Sequence, residues 1–256
     1  MGCAVPAADA IGGLRGRIIV ITRPAGTAAT FARQVRVRGG VPLLLPGLAL
    51  RAIEDAAQAR AQLRAALRED ALLLFTSPAA VRFAAALAPL RTRATVLAVG
   101  QGTASALRRH GLAAQAPTAR QDSEALLALP ALQELHGRRV ALIGAPDGRG
   151  LLQQQLTDGG AHWREVFVYR RAAPRLDRRH VEAVMSLPAS ARVLLSSAQA
   201  LAHLQARLPP AAWRRLCAAT AVVSSERLAG VAREAGFRRL RLAASARAAD
   251  LLAAAG

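Results

Sequence analysis

Short runs of aliphatic residues recur along the chain, and between them apolar positions return every three or four residues. The first pattern marks buried strands and the second marks one-sided helices. Strands are expected at 17–22, 41–45, 71–76, 95–99, 139–143, 164–168, 192–195, 221–223 and 239–243, with helices filling most of the gaps. Strands that alternate with helices predict an α/β protein on parallel sheets, because a parallel pair needs a crossover between its strands. Local punctuation agrees. After the first strand, PAGTAATFARQVRVRGG puts Pro24 near a helix start and Gly39-Gly40 past its end, the usual asymmetry of helix termini.

Parts of the chain are written twice. LLLFTSPAAV (72–81) returns as VLLSSAQAL (193–201), and TVLAVGQGTASALRRHGL (95–112) returns as TAVVSSERLAGVAREAGF (220–237). IIVITRPAG (18–26) likewise returns as VALIGAPDG (140–148). The chain reads as a divergent duplication of one α/β unit. The counterparts of the opening strand–helix–strand (17–45) and of the last third (192–256) both fall in the middle, at 139–168 and 71–112. The simplest assembly is a domain 47–172 inserted in a discontinuous domain made of 1–46 and 173–256, with extended crossings at 46–53 and 169–174. The length of 256 residues suits two cores, since single domains most often hold roughly 100–150.

The repeat drives an apolar strand into hydroxyl residues and then a helix. In a parallel sheet the turns beyond the strands' C-terminal ends form the ligand crevice, where the next helix points unpaired N–H groups and its positive dipole end. Thr76-Ser77 before Pro78, and Ser196-Ser197, fall at cap positions where a hydroxyl either satisfies those groups or shares them with a bound carboxylate. Thr22-Arg23, Gly100-Gln101-Gly102-Thr103, Gly148-Arg149 and Ser224-Ser225 occupy equivalent turns. A lone Ser or Thr before a helix is usually only a cap, so the signal lies in the repetition. Arg23 and Arg149 stand out among the arginines because a guanidinium in such a turn can grip a carboxylate through two bonds.

Composition narrows the chemistry. Every one of the 35 basic residues is arginine, which excludes Schiff-base lysine chemistry and the phosphate-loop lysine. Only Cys3 and Cys217 are cysteines, and the five histidines lack zinc spacing, so neither a disulfide framework nor a metal site is expected. A formal charge of +19 points to an anionic partner. The arginines come as dispersed doublets such as Arg108-Arg109, Arg214-Arg215 and Arg238-Arg239, and aromatics are only 3%, which argues against a nucleic-acid tail or base-stacking platform. The doublets are read as solvated faces. No apolar run approaches the roughly 18 residues of a membrane span, and the first residues read as a short leader on a cytoplasmic, monomeric protein.

VGQGTAS follows a strand and opens a helix as a dinucleotide fingerprint does, but Ser105 stands where Gly or Ala is needed for close packing. Asp122, at nearly the distance of a ribose-binding acid, sits in RQDSEALL, which reads as a helix start. Tyr169, the only tyrosine, falls on an expected crossing, where a phenol could hand a proton to a leaving group or merely pack a linker.

Taken in order, VITRPAG, FTSPAAV, AVGQGTASAL, QDSEALLALPAL, the GR of APDGRGLLQQQL, GGAHWREVFVYRR, LLSSAQAL and VVSSERLAGVAREAGF resemble the uroporphyrinogen-III synthase family along nearly the whole chain. The resemblance implies two flavodoxin-like α/β domains joined by a two-stranded linker, one of them discontinuous. It implies cofactor-free dehydrative cyclisation of hydroxymethylbilane, with ring D inverted through a spiro intermediate, and a substrate bearing eight carboxylates. By motif, Tyr169 corresponds to the family tyrosine proposed to assist departure of the hydroxyl. Thr22, Arg23, Thr76, Ser77, Gly100, Thr103, Ser123, Gly148, Arg149, Ser197 and Ser225 correspond to substrate-binding positions. Two departures stand out: Gly144 replaces an arginine common before the Gly-rich turn, and VVSSER replaces a Gly-Pro-Thr-Thr form. The alternative is an anion- or nucleotide-binding regulator on the same fold without catalytic activity.

Overall fold

The structure, a computed structural model, describes residues 13–117, 126, 129–146, 150–195 and 197–256. In chain order the first elements are β1 (Ile18–Ile21), α1 (Ala25–Val37), β2 (Val41–Leu44), β3 (Ala49–Ala52), α2 (Ala56–Glu69), β4 (Leu72–Phe75), α3 (Pro78–Leu87), β5 (Thr95–Ala98) and α4 (Gln101–Arg108). After a 3-10 turn at Pro130–Leu132 come β6 (Arg139–Gly144), α5 (Gly150–Asp158), β7 (His162–Phe167), β8 (Tyr169–Ala172) and α6 (Arg178–Met185). The chain closes with β9 (Arg192–Leu195), α7 (Ala198–Arg207), α8 (Pro210–Cys217), β10 (Thr220–Val223), α9 (Glu226–Glu234), β11 (Arg239–Leu242) and α10 (Ala248–Ala255).

These elements fall into two compact units. Unit 1 joins the described residues up to Ala49 with Ala172–Gly256, and unit 2 is Leu50–Arg171. The division lies a few residues from the expected 46/47 and 172/173. The crossings at 46–53 and 169–174, extended by their sequence and a two-stranded linker by the family resemblance, hold β3 and β8, which pair as a two-stranded sheet.

Unit 1 is a parallel sheet in the order β11-β10-β9-β1-β2. Along its strands the side chains alternate between two apolar layers, as the period of two requires. Ile19, Ile21, Leu194 and Val222 pack with Phe31 and Val35 of α1 and with Leu251 and Leu252 of α10. Val20, Val193, Leu195, Ala221 and Val223 pack on the other face with α6, α7, α8 and α9, through Val184, Leu204, Leu216 and Leu228. Burial on both faces is why these strands read as unbroken aliphatic runs.

Unit 2 repeats the plan with β5-β4-β6-β7, also parallel, and a single parallel bridge from Leu97 to Gln115 takes the place of a fifth strand. Leu73, Phe75, Ala141 and Ile143 face α2, α3 and α4, whereas Leu72, Leu74, Val140 and Leu142 face α5 and Leu132. The edge strand β7 starts at His162, before the expected 164. Its residues are mostly only half-buried, so the apolar signal covers only part of it.

At the N-terminal end of the unit 2 sheet, Asp70 is buried and receives two hydrogen bonds from Arg164, from Nε at 2.9 Å and Nη2 at 3.0 Å. Glu69 lies 3.5 Å from the same guanidinium. The Asp70 hydrogen bond is the main reason that the Arg164 guanidinium is held above its usual value. In unit 1, burial pushes the Cys217 thiol up to about 11.

Asp70→Asn should lower stability by about 1–3 kcal/mol, since it replaces a buried, charge-assisted pair with an amide and leaves the guanidinium only its longer contact with Glu69; urea denaturation measures this. The neutral Cys217 thiol stabilises the fold fully below the ordinary value of 9.0, and that contribution fades as pH rises towards 11. Cys217→Ala should flatten this alkaline part of the pH–stability curve.

Candidate active site

Near the centre of each parallel sheet lies a pair of neighbouring strands whose following helices leave to opposite faces. In unit 1 these are β1, followed by α1, and β9, followed by α7. In unit 2 they are β4, followed by α3, and β6, followed by α5. Such a switch point opens a crevice beyond the strand ends, the usual ligand position in open α/β sheets.

A threonine hydroxyl closes the floor of each crevice. Thr22, after β1, donates to the carbonyl of Leu194 in β9 at 2.7 Å. Thr76, after β4, donates to the carbonyl of Ile143 in β6 at 3.2 Å. Both hydroxyls were expected to cap helices or meet ligand; they bond across the seam instead. Gly144 is explained by the same geometry, because a Cβ there would run into the Thr76 hydroxyl.

Serines do the capping. Ser77 Oγ accepts from Ala80 N at 3.0 Å, Ser197 Oγ from Ala200 N at 3.3 Å, and Ser225 Oγ from Leu228 N at 3.3 Å. Gly100 begins α4 without any side-chain cap, so the amides of that helix end face no side-chain acceptor of the cap residue. Thr103 is buried in the first turn of α4.

The most developed corner is in unit 2. Tyr169 opens β8 and is buried; its hydroxyl lies 3.1 Å from Ser77 Oγ, and its ring stacks on Phe83 at 5.3 Å between centroids and 13° between planes. The Arg82 guanidinium lies over the Phe83 ring at 4.9 Å. Because Ser77 Oγ already accepts an amide proton from α3, its own O–H is available to the tyrosine oxygen. The phenol therefore sits beside the positive end of a helix, with a donor aimed at the charge it would carry after losing its proton.

Unit 1 has a different corner at the corresponding place. The turn after β2 brings Gly47 N to the carbonyl of Thr22 at 2.9 Å, and His203 Nδ1 lies 3.1 Å from the carbonyl of Gly47. Gly47 rests so closely on Ala200 of α7 that a Cβ would collide with its backbone. Arg23 is pinned by a 2.9 Å bond from Nη2 to the carbonyl of Ala246 and by the Phe31 ring, 4.4 Å from its guanidinium carbon. Its buried Nε has no partner among the described residues, and burial lowers its pKa from the usual value.

Sequence reasoning thus finds Ser77 and Tyr169, which the fold brings together, and Thr22 and Arg23, which lie side by side at the unit 1 seam. Ser123, Gly148 and Arg149 lie outside the described residues. Phe83, Arg82, Gly47 and His203 were missed. The only sequence signal for Phe83 and His203 is that they stand at the same step of the two helices that Ser77 and Ser197 cap. Among the described residues no cluster of His, Cys, Asp or Glu could hold a metal ion, and no helix is long and apolar enough to cross a membrane.

Two doubly wound parallel units, each with an amide- and hydroxyl-lined switch point, define a two-unit α/β protein with rims suited to anions. Residues 29–253 match the family model described as uroporphyrinogen-III synthase HemD. The chain is 32% identical over 245 residues to the uroporphyrinogen-III synthase of Salmonella typhimurium, covering 89% of this chain and 95% of that one. It is 31% identical over 239 residues to that of Escherichia coli, with the same coverage. The fold matches the uroporphyrinogen-III synthetase of Helicobacter pylori (TM-score 0.60, 16% identity, 93% and 97% of the two chains). It also matches a mutant uroporphyrinogen III synthase of Thermus thermophilus (TM-score 0.56, 22% identity, 93% and 96%). The chain belongs to the uroporphyrinogen-III synthase family.

Gly144→Ala should destabilise unit 2 by about 1–3 kcal/mol through its clash with Thr76. Combined with Thr76→Ala it should cost less than the sum of the two, a non-additivity that a double-mutant cycle reads directly.

Proposed function

We propose that the chain is a cytoplasmic, monomeric lyase that closes hydroxymethylbilane to uroporphyrinogen III with loss of water, without a cofactor, in tetrapyrrole synthesis. The observation that carries this reading is the buried Tyr169 hydroxyl against Ser77 at the start of α3.

The chemistry asks little of the protein in the way of nucleophiles. Tyr169 gives its proton to the departing hydroxyl as the C–O bond breaks, so that water leaves and an electrophilic azafulvenium cation forms, its pyrrole N–H retained. Ser77 and the α3 amides stabilise the phenolate meanwhile. Ring D then attacks through its substituted carbon, and the spiro intermediate rearranges. The proton lost when the final ring regains its aromaticity returns to Tyr169, and the balance is the loss of one water.

Selectivity is the harder task, since the azafulvenium cation closes spontaneously to the uninverted isomer. Redirecting it a hundredfold requires about 2.7 kcal/mol of preferential binding of the compact spiro geometry, within reach of a few charge-assisted hydrogen bonds. Arg23, Arg149, the open amides after Gly100 and the rims at Ser197 and Ser225 supply the donors for the carboxylates. The high positive charge draws the polyanion in, as electrostatic steering does.

Purified protein supplied with hydroxymethylbilane should yield the type III isomer; type I alone, at the spontaneous rate, rejects the reading. Tyr169→Phe, which keeps the stack on Phe83, should lower kcat about a hundredfold while the product remains type III. Steering predicts that kcat/KM falls as ionic strength rises, with kcat nearly constant.

A further inference from the structure

The opposite end of the unit 1 sheet, where its strands begin, carries a concentration of charge that the proposed reaction does not use. Arg15, Arg17, Arg192, Arg238, Arg239 and Arg241 line an open cavity of about 830 Å³ there, together with Ser190 and Thr220. The strand register explains the gathering. Arg192, Thr220 and Arg239 are direct neighbours across β9, β10 and β11, and the row continues to Ile19 of β1. Arg17 lies two residues before this row, just ahead of β1, and Arg241 two residues beyond it in β11, so all four arginines project to one face.

Several of these side chains are fixed rather than waving in solvent. Arg192 Nη1 donates to the carbonyl of Ser190 at 2.8 Å and to Thr220 Oγ1 at 3.2 Å. Arg239 Nη2 donates to the carbonyls of Ala189, at 2.8 Å, and Ala218, and Arg241 Nη1 to that of Ala254 at 3.3 Å. These partners are neutral groups, and the buried Arg192 Nε has no partner among the described residues. Burial first, then the nearness of Arg17, Arg241 and Arg239, presses the Arg192 guanidinium below its usual value.

The duplicated unit supplies the contrast. At the same end of the unit 2 sheet, Asp70 and Glu69 neutralise Arg164. The echo of LLLFTS in VLLSS aligns Asp70 with Ser190, so the position that holds the acid in one unit holds a neutral, cavity-lining residue in the other. No acidic side chain is among the described residues that line the cavity.

We propose that this end of unit 1 binds an oligophosphate, with the guanidinium groups of Arg192, Arg239 and Arg241 as its principal contacts. Two strand spacings separate β9 from β11, roughly 10 Å, so the ligand must put several charges on a short chain. Linked phosphates do so, and guanidinium forks match their oxygens. A polycarboxylate tetrapyrrole spreads its charges around a large ring. With no aromatic side chain among the described residues that line the cavity, a stacked base finds no platform there.

Calorimetric titration of the full chain with inorganic tripolyphosphate at low salt tests the assignment, with ATP as a second arm. Binding of one tripolyphosphate per chain is expected, weakened at least tenfold in R239A/R241A and in Ser190→Asp, which restores the acid of the sister unit and should raise Tm. Hydroxymethylbilane turnover in both variants, without added phosphate, should equal that of the parent. Tighter binding of ATP assigns a nucleotide's phosphate tail; equal or weaker binding assigns the inorganic chain. Absence of binding, retention of full affinity in both variants, or loss of binding in Arg23→Ala, which would place the anion at the other rim, overturns the proposal. These outcomes are independent of which isomer the enzyme makes.

Discussion

Two adjacent parallel strands whose helices must depart to opposite faces leave a gap that no main-chain bond can fill, and each unit is organised around that gap. The strands stay together below it because their ladder is complete and both faces are covered by aliphatic side chains. At its floor, one threonine hydroxyl ties the two strands where regular pairing ends. Above the floor, the capped and uncapped helix starts present N–H groups to whatever anion enters. Without the seam there would be sheet and core but no place for a ligand.

Duplication gives the seam twice and divergence makes the copies unequal. Aligning the repeats sets Thr22 against Gly144: the hydroxyl bonds from the β1 side in unit 1 and from the β4 side in unit 2. The residue after the next strand is Gly47 in one unit and Tyr169 in the other. His203, against the Gly47 carbonyl, stands where Phe83 stacks on Tyr169. The same fold corner therefore carries a phenol in only one of its two occurrences.

The fold was legible because its signals are local. Aliphatic runs buried on both faces, helix punctuation and the internal echo follow from side-chain burial and backbone geometry acting over a few residues, and they lead to the parallel sheets. β3 and β8 are legible as a two-stranded linker only through the family resemblance, because ALRA and YRRA lack a continuous apolar run and pair only with each other. Among site residues, Ser77 was readable as a cap, but its contact with Tyr169 joins residues far apart in sequence. Arg239 reads as part of a solvated doublet and Arg17, Arg192 and Arg241 carry no signal of their own, since nothing in a linear pattern reveals that register will gather them on one face. Thr22 and Thr76 misled for a related reason: a hydroxyl before a helix has a capping role by default, and only the neighbouring strand's carbonyl competes for it.

The discontinuity of unit 1 also bears on how the polypeptide matures on the ribosome. Every strand of the unit 2 sheet lies between Leu72 and Phe167, so that sheet can close early. β1 and β2 are made before unit 2, yet β1 finds β9 only after Arg192 has been made, and the outermost strand follows at Arg239. Through that interval the aliphatic edge of β1 is an orphan in the nascent chain, exposed to mispairing or to chaperone capture. Late, long-range closure of this kind leaves β1 waiting for one of its two native neighbours, which ties the pace of maturation to translation of the segment from Arg192 onward.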